Sequence, residues 1–226
     1  MLDTKSRGQG AVNQAVILAA GKGERLYPLT TLQPKVMLPI GNKPILQYVV
    51  EALAANGVPE IIIVVGYHRE QIQDYFGSGD QFDTRIRYAI QEHQLGTGNA
   101  LMCARDLIKD RFLVLPGDNI LDPLAIQDLL RSAEDAILVK EAPAQDYGVV
   151  IISRGQVRRL IEKPHEQTSP WVNTGTYLLH QSVFGYLDEE LDLPGAIERM
   201  IQQGQRVVSQ QTKGIWWDAA YPWDLL

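Results

Sequence analysis

The chain has 226 residues, of which 45% are hydrophobic and 21% are charged, and its formal net charge is −6. This composition is typical of a soluble globular protein, and no apolar run reaches the roughly 20 residues of a membrane span. An acidic chain is a poor match for a nucleic-acid surface, so we expect neither a membrane nor a nucleic acid as partner. The N-terminal segment has no apolar signal sequence, and we therefore expect a cytoplasmic protein.

A polar stretch over 1–13 is predicted to be a disordered tail, which leaves 14–226 as the folded domain. Short apolar runs at 15–20, 61–65, 86–90 and 112–115 alternate with helical patterns. This alternation predicts strands of a largely parallel sheet. The single cysteine, Cys103, excludes an internal disulfide and is expected to be buried as a small apolar side chain.

The first predicted helix follows the first strand. Asn42 is expected to cap it, Pro44 suits its first turn, and Gly57 ends it. Apolar residues at Ile45 and Val49 recur with helical spacing, so one face of this helix is predicted to be buried. Further helices are predicted over 71–76, 98–107 and 122–132, which together make 14–140 a nucleotide-binding type of α/β half.

After about residue 140 the pattern changes to paired strands. The runs 148–153 and 156–161 flank Arg154-Gly155, which predicts a hairpin turn. A further strand is predicted over 172–179, followed by helices near 181–187 and 194–203. The whole is predicted to be an α/β, Rossmann-like fold with a mixed, mainly parallel sheet flanked by helices, in which 141–226 forms the second half.

A glycine-rich loop follows the first strand, and such loops commonly hold phosphate. The dinucleotide fingerprint G-x-G-x-x-G fails because Leu26 occupies the place of the third glycine. The Walker loop fails as well, since no Gly-Lys-Ser/Thr follows Gly21. What remains is a turn at Gly21 and Gly23, then Arg25 with its planar fork of donors and Lys35 with its point charge.

The stretch "LAAGKGERLYPLTTLQPKVMLPIG" resembles the signature of the sugar-1-phosphate nucleotidyltransferases almost position by position. The resemblance continues in the family's order through "QEHQLGTGNA", "LPGDN", "YGVV", "IEKP", "VNTGTYLL" and "WWDAAYPWDLL", and so covers the chain from about residue 14. It implies the nucleotide-diphospho-sugar transferase fold. It also implies attack by a sugar 1-phosphate on the α-phosphorus of a nucleoside triphosphate, with release of pyrophosphate.

The resemblance also implies catalytic roles. Arg25 holds the β- and γ-phosphates, and Lys35 bridges the α-phosphate and the sugar phosphate. Asp118 follows a predicted parallel strand, where open α/β sheets place their ligands, and a carboxylate there suits Mg²⁺. Asp218 is the second carboxylate implied for that metal. Many relatives read D-x-G at this point, whereas this chain reads Asp-Ala-Ala, so the local turn is an open question.

Two further sets of residues are implied to bind the substrates. The nucleotide set consists of Leu18, Ala19, Ala20, Gly21, Gly23, Gln91, Gly96 and Thr97. The sugar-phosphate set consists of Gly117, Gly148, Glu162, Lys163 and Asn173, with Glu162, Lys163 and Asn173 expected to face inward. The "QLGTG" segment resembles the uridylyltransferase branch most closely, so UTP leads, dTTP follows, and guanylyl transfer stays open. Thr97 is also expected to cap a helix that begins at Gly98.

Two alternative functions stay open at this stage. The chain could be a catalytically inert module with a nucleotidyltransferase-like fold, although such a module has no need to keep Arg25, Lys35 and both carboxylates. It could be a cytidylyltransferase for an alcohol phosphate, which shares the A-A-G-x-G-x-R opening. Similar long proteins carry a left-handed β-helix after "YPWDLL", and a homo-oligomer could form through such a missing domain. The C-terminal tryptophans are expected to pack in the core rather than to stack on sugars.

Overall fold

The computed structural model describes residues 12–143, 147–164, 166, 168–187 and 191–225. Most of the predicted tail over 1–13 lies outside these residues. The first part of the chain contains β1 (Gln14–Ala19), β2 (Pro39–Ile40), β3 (Lys43–Pro44), α1 (Ile45–Ala55), β4 (Glu60–Val65), α2 (Arg69–Phe76), β5 (Arg85–Ile90), α3 (Thr97–Met102), β6 (Arg111–Pro116), β7 (Asn119–Leu121) and α4 (Pro123–Leu130). The second part contains β8 (Asp135–Glu141), β9 (Val149–Ser153), β10 (Gln156–Ile161), β11 (Trp171–His180), α5 (Phe184–Leu187), α6 (Leu193–Gln202), β12 (Val207–Gln211) and β13 (Trp216–Asp218).

Within the described residues, nine strands form one mixed sheet in the order β5-β4-β1-β6-β11-β8-β12-β10-β9. Strands β5, β4, β1 and β6 run parallel. Successive side chains of β1 enter opposite hydrophobic clusters, Val16 on one face of the sheet and Ile17 on the other. Helices cover both faces, so the predicted class of fold is confirmed.

The predicted strands and helices of the first half are present, with ends shifted by one or two residues. Asn42 does not cap α1, because the short β2–β3 pair occupies this part of the chain and the N-cap position falls on Pro44. Gly57 does end α1: its φ is +70°, and Val58 N donates to Leu53 O at 3.2 Å. The predicted helix over 98–107 is instead α3 followed by a separate 3₁₀ turn, Arg105–Leu107.

The second half joins the same sheet. Strand β11 lies between β6 and β8, antiparallel to both, so the sheet continues without interruption across residue 140. The predicted hairpin joins β9 and β10, with φ of +54° at Arg154 and +75° at Gly155, as a primed turn requires. The sequence patterns did not predict β8, β12 or β13.

Two expectations about side-chain burial are wrong. Cys103 is exposed just beyond α3, where its thiol donates to Asn99 O. Trp217 and Trp223 are also exposed rather than packed in the core, at 49% and 65% of their full accessibility. No helix among the described residues is long and apolar enough to cross a bilayer.

Candidate active site

A cavity of about 1210 Å³ lies beyond the carboxyl ends of β1 and β6. This is the edge at which parallel α/β sheets bind ligands. The cavity brings together all of the site residues expected from the sequence except two: Leu18, Ala19, Ala20, Gly21, Gly23, Arg25, Lys35, Gln91, Gly96, Thr97, Asp118, Gly148, Glu162, Asn173 and Asp218 line it. Gly117 and Lys163 do not line it.

The glycine loop closes against Lys35. Gly23 has a φ of +68°, and a Cβ at this position would lie 2.7 Å from the Cβ of Lys35, so only glycine allows this approach. The Thr30 hydroxyl donates to Gly23 O at 3.0 Å and fixes the loop from the other side. A Cβ on Gly21, by contrast, would meet no atom within 4 Å. The space beside Gly21 is therefore open for a ligand to approach the backbone.

Lys35 is the centre of the charged cluster. It opens a short 3₁₀ turn, Lys35–Met37, and is only 9% exposed. Its ammonium lies 2.5 Å from Asp118 Oδ2 and 3.9 Å from Asp218 Oδ1. The two carboxylates meet here because β13 pairs with β7, with Asp218 opposite Asn119. This pairing connects the end of β6 with the C-terminal segment.

Burial, together with the neighbouring Asp118 carboxylate, raises the pKa of Asp218 to about 6, although Lys35 and Arg25 oppose the shift. The two carboxylates therefore face one buried ammonium, that of Lys35, which compensates only part of their negative charge. Such a donor set fits Mg²⁺, which commonly takes one or two protein carboxylates and completes its shell with water and substrate phosphate. The described residues contain no group of three or more His, Cys, Asp or Glu that could hold a metal ion alone.

The Asp-Ala-Ala sequence is accommodated without a glycine. Ala219 is fully buried against Leu26, Leu38 and Ile45, and its N–H donates to Asp118 O at 3.3 Å. The N–H of Ala220 donates to Asp218 O at 2.9 Å. These contacts fix the backbone on both sides of the second carboxylate.

Arg25 is exposed at the rim of the cavity, in the 3₁₀ turn Glu24–Leu26. Its guanidinium lies over the ring of Tyr221, 5.6 Å from the centroid, within the range of a cation–π contact. No carboxylate among the described residues forms a salt bridge with it. Its charge is thus available to an anion in the cavity.

Gln91 has one polar atom left for a ligand. The side chain is 3% exposed, and its Nε2 donates to Gly96 O at 3.2 Å and to Asn99 Oδ1 at 2.8 Å. With both amide hydrogens used, Oε1 is the group that can accept a hydrogen bond from a base, in the amide orientation that this network selects.

Thr97 has a different role from the one expected. Helix α3 begins at Thr97 itself and has Gly96 as its N-cap. The Thr97 hydroxyl donates to Asp192 Oδ1 at 2.7 Å and accepts from Leu193 N at 3.0 Å. It therefore connects the nucleotide loop to the start of α6 instead of capping its own helix.

The sugar-binding side is built around Gly148 and Asn173. A Cβ on Gly148 would lie 2.8 Å from Glu162 Oε2, so the glycine makes room for that carboxylate. Asn173 is buried, donates to the Tyr177 hydroxyl at 2.7 Å and accepts from Gly175 N at 3.0 Å. Burial raises the pKa of the Glu162 carboxyl, and the charge of Asp192 raises it as well.

Lys163 and Gly117 lie next to the cavity without lining it. Lys163 is exposed at a φ of +39°, so the expectation that it faces inward is wrong. The positive φ explains the difference, since it turns the backbone after β10. Gly117 is buried under the cavity floor, with its N–H donating to Leu18 O at 2.9 Å. A Cβ there would lie 3.1 Å from the Cβ of Ala19, so its role in the structure is close packing.

Sequence reasoning missed several lining residues, above all Asp192, Tyr147 and Trp216. The rings of Tyr147 and Trp216 meet edge to face at 4.9 Å between centroids and form part of the cavity wall. An aspartate two residues before Pro194 predicts a helix cap rather than a cavity residue. No local signal identifies Asp192 as a member of the site.

Comparisons with known proteins identify the family to which the chain belongs. The chain is 39% identical over 222 residues to the bifunctional protein GlmU of Methanococcus maripaludis strain C5, covering 94% of this chain and 52% of that protein. It thus spans about half the length of this relative. It is 35% identical over 227 residues to the UTP–glucose-1-phosphate uridylyltransferase AglF of Haloferax volcanii, covering 93% of each chain.

The fold superimposes on a Bacillus anthracis structure assigned as a glucose-1-phosphate thymidylyltransferase, with a TM-score of 0.86 and 28% identity over 94% of this chain and 92% of that one. The "Nucleotidyl transferase" family matches residues 14–225. With the glycine loop, the buried lysine and the paired aspartates in one cavity, the chain belongs to the nucleotidyl transferase family.

Proposed function

We propose that the protein transfers a nucleotidyl group from UTP or dTTP to a sugar 1-phosphate. An oxygen of the sugar phosphate attacks the α-phosphorus, and the bond from that phosphorus to the bridging oxygen of the β-phosphate breaks to release pyrophosphate. The observation that carries the proposal is the position of Lys35, buried between Asp118 and Asp218 at the base of a cavity large enough for both substrates.

Positioning and charge stabilisation account for this chemistry without a protein nucleophile. Asp118 and Asp218 are the residues that hold Mg²⁺, which supplies neutralisation of phosphate charge when it is bound. With Asp118 and Asp218 as the residues that would hold the metal, Lys35 donates to substrate phosphate at the base of the cavity. Arg25, which has no carboxylate partner among the described residues, neutralises the departing pyrophosphate.

The base and the sugar occupy opposite sides of Lys35. Gln91 Oε1 accepts a hydrogen bond from the imide N–H of uracil or thymine. This oxygen is free to do so because the contacts with Gly96 and Asn99 use only the amide hydrogens. Glu162 and Asn173 face the sugar hydroxyls beside Gly148. The AglF and GlmU relatives support this division only by family membership, and the nucleotide and the sugar are parts of the proposal.

The test is a pyrophosphate-release assay with UTP, dTTP, CTP and GTP, each combined with a panel of sugar 1-phosphates and with two alcohol phosphates. We expect turnover with UTP or dTTP and a sugar phosphate, dependent on Mg²⁺. Turnover restricted to CTP with an alcohol phosphate would assign the protein to the cytidylyl branch. No turnover with any combination would favour an inert module and overturn the proposal.

A variant separates catalysis from folding. Lys35→Ala is expected to lower turnover by about 10²- to 10³-fold, as the loss of one transition-state donor commonly does. Lys213→Ala is the matched control, since Lys213 is exposed and does not line the cavity. If Lys35→Ala loses activity only in proportion to its loss of folded protein, measured by urea unfolding, the role assigned to Lys35 is wrong.

A further inference from the structure

A second cleft, of about 530 Å³, lies at the opposite edge of the parallel strands. It contains the first residues of four adjacent strands: Gln14 of β1, Glu60 of β4, Arg85 of β5 and Arg111 of β6. These strands have six residues each, so their length separates the second cleft from the active-site edge by about 20 Å. The two sites share strands but none of their lining residues.

The second cleft is basic although the chain is acidic. Its charged lining consists of four cations and two carboxylates: Arg85, Arg87, Lys109 and Arg111, with Glu60 and Asp110. The chain as a whole has a formal net charge of −6. A local excess of positive charge against this background concentrates anions at the cleft.

The carboxylates of the cleft neutralise its cations only in part. Glu60 accepts a hydrogen bond from the Gln14 amide at 2.5 Å. The same carboxylate is the ion-pair partner of both Arg87, at 3.6 Å, and Arg85, at 3.9 Å, and these distances exceed those of strong charge-assisted hydrogen bonds. Asp110 is directed to His180, 3.5 Å away.

The other two cations have no carboxylate partner among the described residues. Arg111 is fixed in place by neutral acceptors, since it donates to Ser132 O at 2.9 Å and to Glu134 O at 2.7 Å. Lys109 is exposed, and its ammonium forms no hydrogen bond or ion pair within that part of the chain. The cleft therefore presents an anchored guanidinium, a free ammonium and two loosely paired guanidinium groups.

We propose that this cleft is a binding site for a small anion with two or more negative charges, of the bisphosphate or diphosphonate class. Arg87 and Lys109 contact the anion from two sides, and Arg111 supplies positive charge from the wall. With four cations and two carboxylates the lining has a net charge of +2, and a single monovalent anion would compensate only half of it. The site is separate from the proposed transferase site and does not depend on that activity.

The test uses methylenediphosphonate as the probe, titrated by calorimetry into the metal-free protein with EDTA at constant ionic strength. We expect binding of one anion per chain. The double variant Arg87→Gln/Lys109→Gln is expected to weaken the affinity by about tenfold or more, because it removes two charge-assisted contacts. Arg131→Gln/Lys213→Gln makes the same charge change at exposed positions outside the cleft and is expected to leave the affinity unchanged.

A third variant distinguishes this cleft from the active site. Lys35→Ala is expected to bind the probe as the unaltered protein does, and loss of binding in this variant would place the anion in the active site and overturn the proposal. Absence of binding at a probe concentration 10-fold higher than roughly 1 mM would also overturn the proposal. Equal weakening of the affinity in the two double variants would do the same. Lys109→Glu is a single variant that keeps the fold, because the exposed side chain has no partner among the described residues to lose. It too is expected to weaken binding of the probe, whereas pyrophosphate release stays unchanged.

Discussion

Gly96→Ala is expected to destabilise the protein and to disturb the nucleotide loop. Gly96 has a φ of +137° and a ψ of 173°, a backbone region that is essentially restricted to glycine and costs other residues about 1–3 kcal/mol. The added Cβ would also lie 2.3 Å from Leu191 O, a distance that real structures do not show. Either Gly96 or the segment that contains Leu191 must therefore move.

That movement has a further cost, because Leu191 O accepts hydrogen bonds from Gly98 N at 2.8 Å and from Asn99 N at 3.1 Å. Losing one or both adds about 1–3 kcal/mol at the usual net value of a hydrogen bond. The total expected loss in the free energy of unfolding is about 2–6 kcal/mol. Because Gly96 O also accepts from the Gln91 amide, we expect weaker binding of UTP as well.

The assay is urea unfolding at fixed temperature, with Gly204→Ala as the matched control. Gly204 also has a positive φ, +84°, but a Cβ there would meet no atom within 4 Å. The control therefore includes the backbone strain and the lost freedom of the unfolded chain, at about 1–2 kcal/mol, but not the contact with Leu191. Equal destabilisation by the two substitutions would refute the reasoning that Leu191 requires glycine at position 96.

Three further outcomes are expected. Burial raises the pKa of Asp218 from 3.8 to about 6, so above pH 6 its ionised form lowers the free energy of unfolding by up to about 3 kcal/mol, a cost that disappears below pH 4. Asp218→Asn should therefore stabilise the protein in EDTA at pH 8 while lowering turnover. A variant that is less stable than the unaltered protein would contradict this. Thr97→Val should lower the free energy of unfolding, measured in urea, by about 1 kcal/mol, because the hydrogen bond to Asp192 is lost. A neutral substitution on the surface should leave this free energy unchanged. Gly148→Ala should raise the KM for the sugar phosphate, because its Cβ displaces Glu162, and leave the KM for the nucleotide unchanged; a change confined to the nucleotide would contradict the assignment.

The residues that the sequence placed correctly in the cavity lie mostly on or beside the parallel strands. Asp118 follows from the rule that open α/β sheets bind ligands at the carboxyl ends of their parallel strands, and it does line the cavity. Lys35 is different, because it does not follow a strand of the main sheet and was identified from the glycine loop and its motif. Its contact with Gly23 shows why the glycine and the lysine occur together: the loop packs on the lysine stem, and a side chain would prevent this.

Long-range pairing accounts for what the sequence patterns missed. Strand β13 forms because Trp216–Asp218 pairs with β7, almost a hundred residues earlier in the chain. A strand of three residues is too short to show an alternation of apolar and polar residues in the sequence. Asp192 reaches the cavity because Thr97 accepts Leu193 N, again across most of a hundred residues. Lys163 was misplaced because a positive φ outside glycine is set by the surrounding structure, and neighbouring residues do not reveal it.

The charges of the cavity also divide into two kinds, which together would let an acidic chain bind the two polyanionic substrates proposed above. Lys35 is buried and held by Asp118, so its position is set before substrate arrives and costs little ordering on binding. Arg25 is exposed, lies over the ring of Tyr221 and forms no salt bridge with a carboxylate of the described residues, so its guanidinium can follow a phosphate that enters and leaves. A fixed cation suits the transferring phosphorus, whose geometry must be precise, and a mobile one suits the pyrophosphate that must depart. The difference in burial therefore supports the proposed assignment of these two residues to different phosphates, beside their place in the motif.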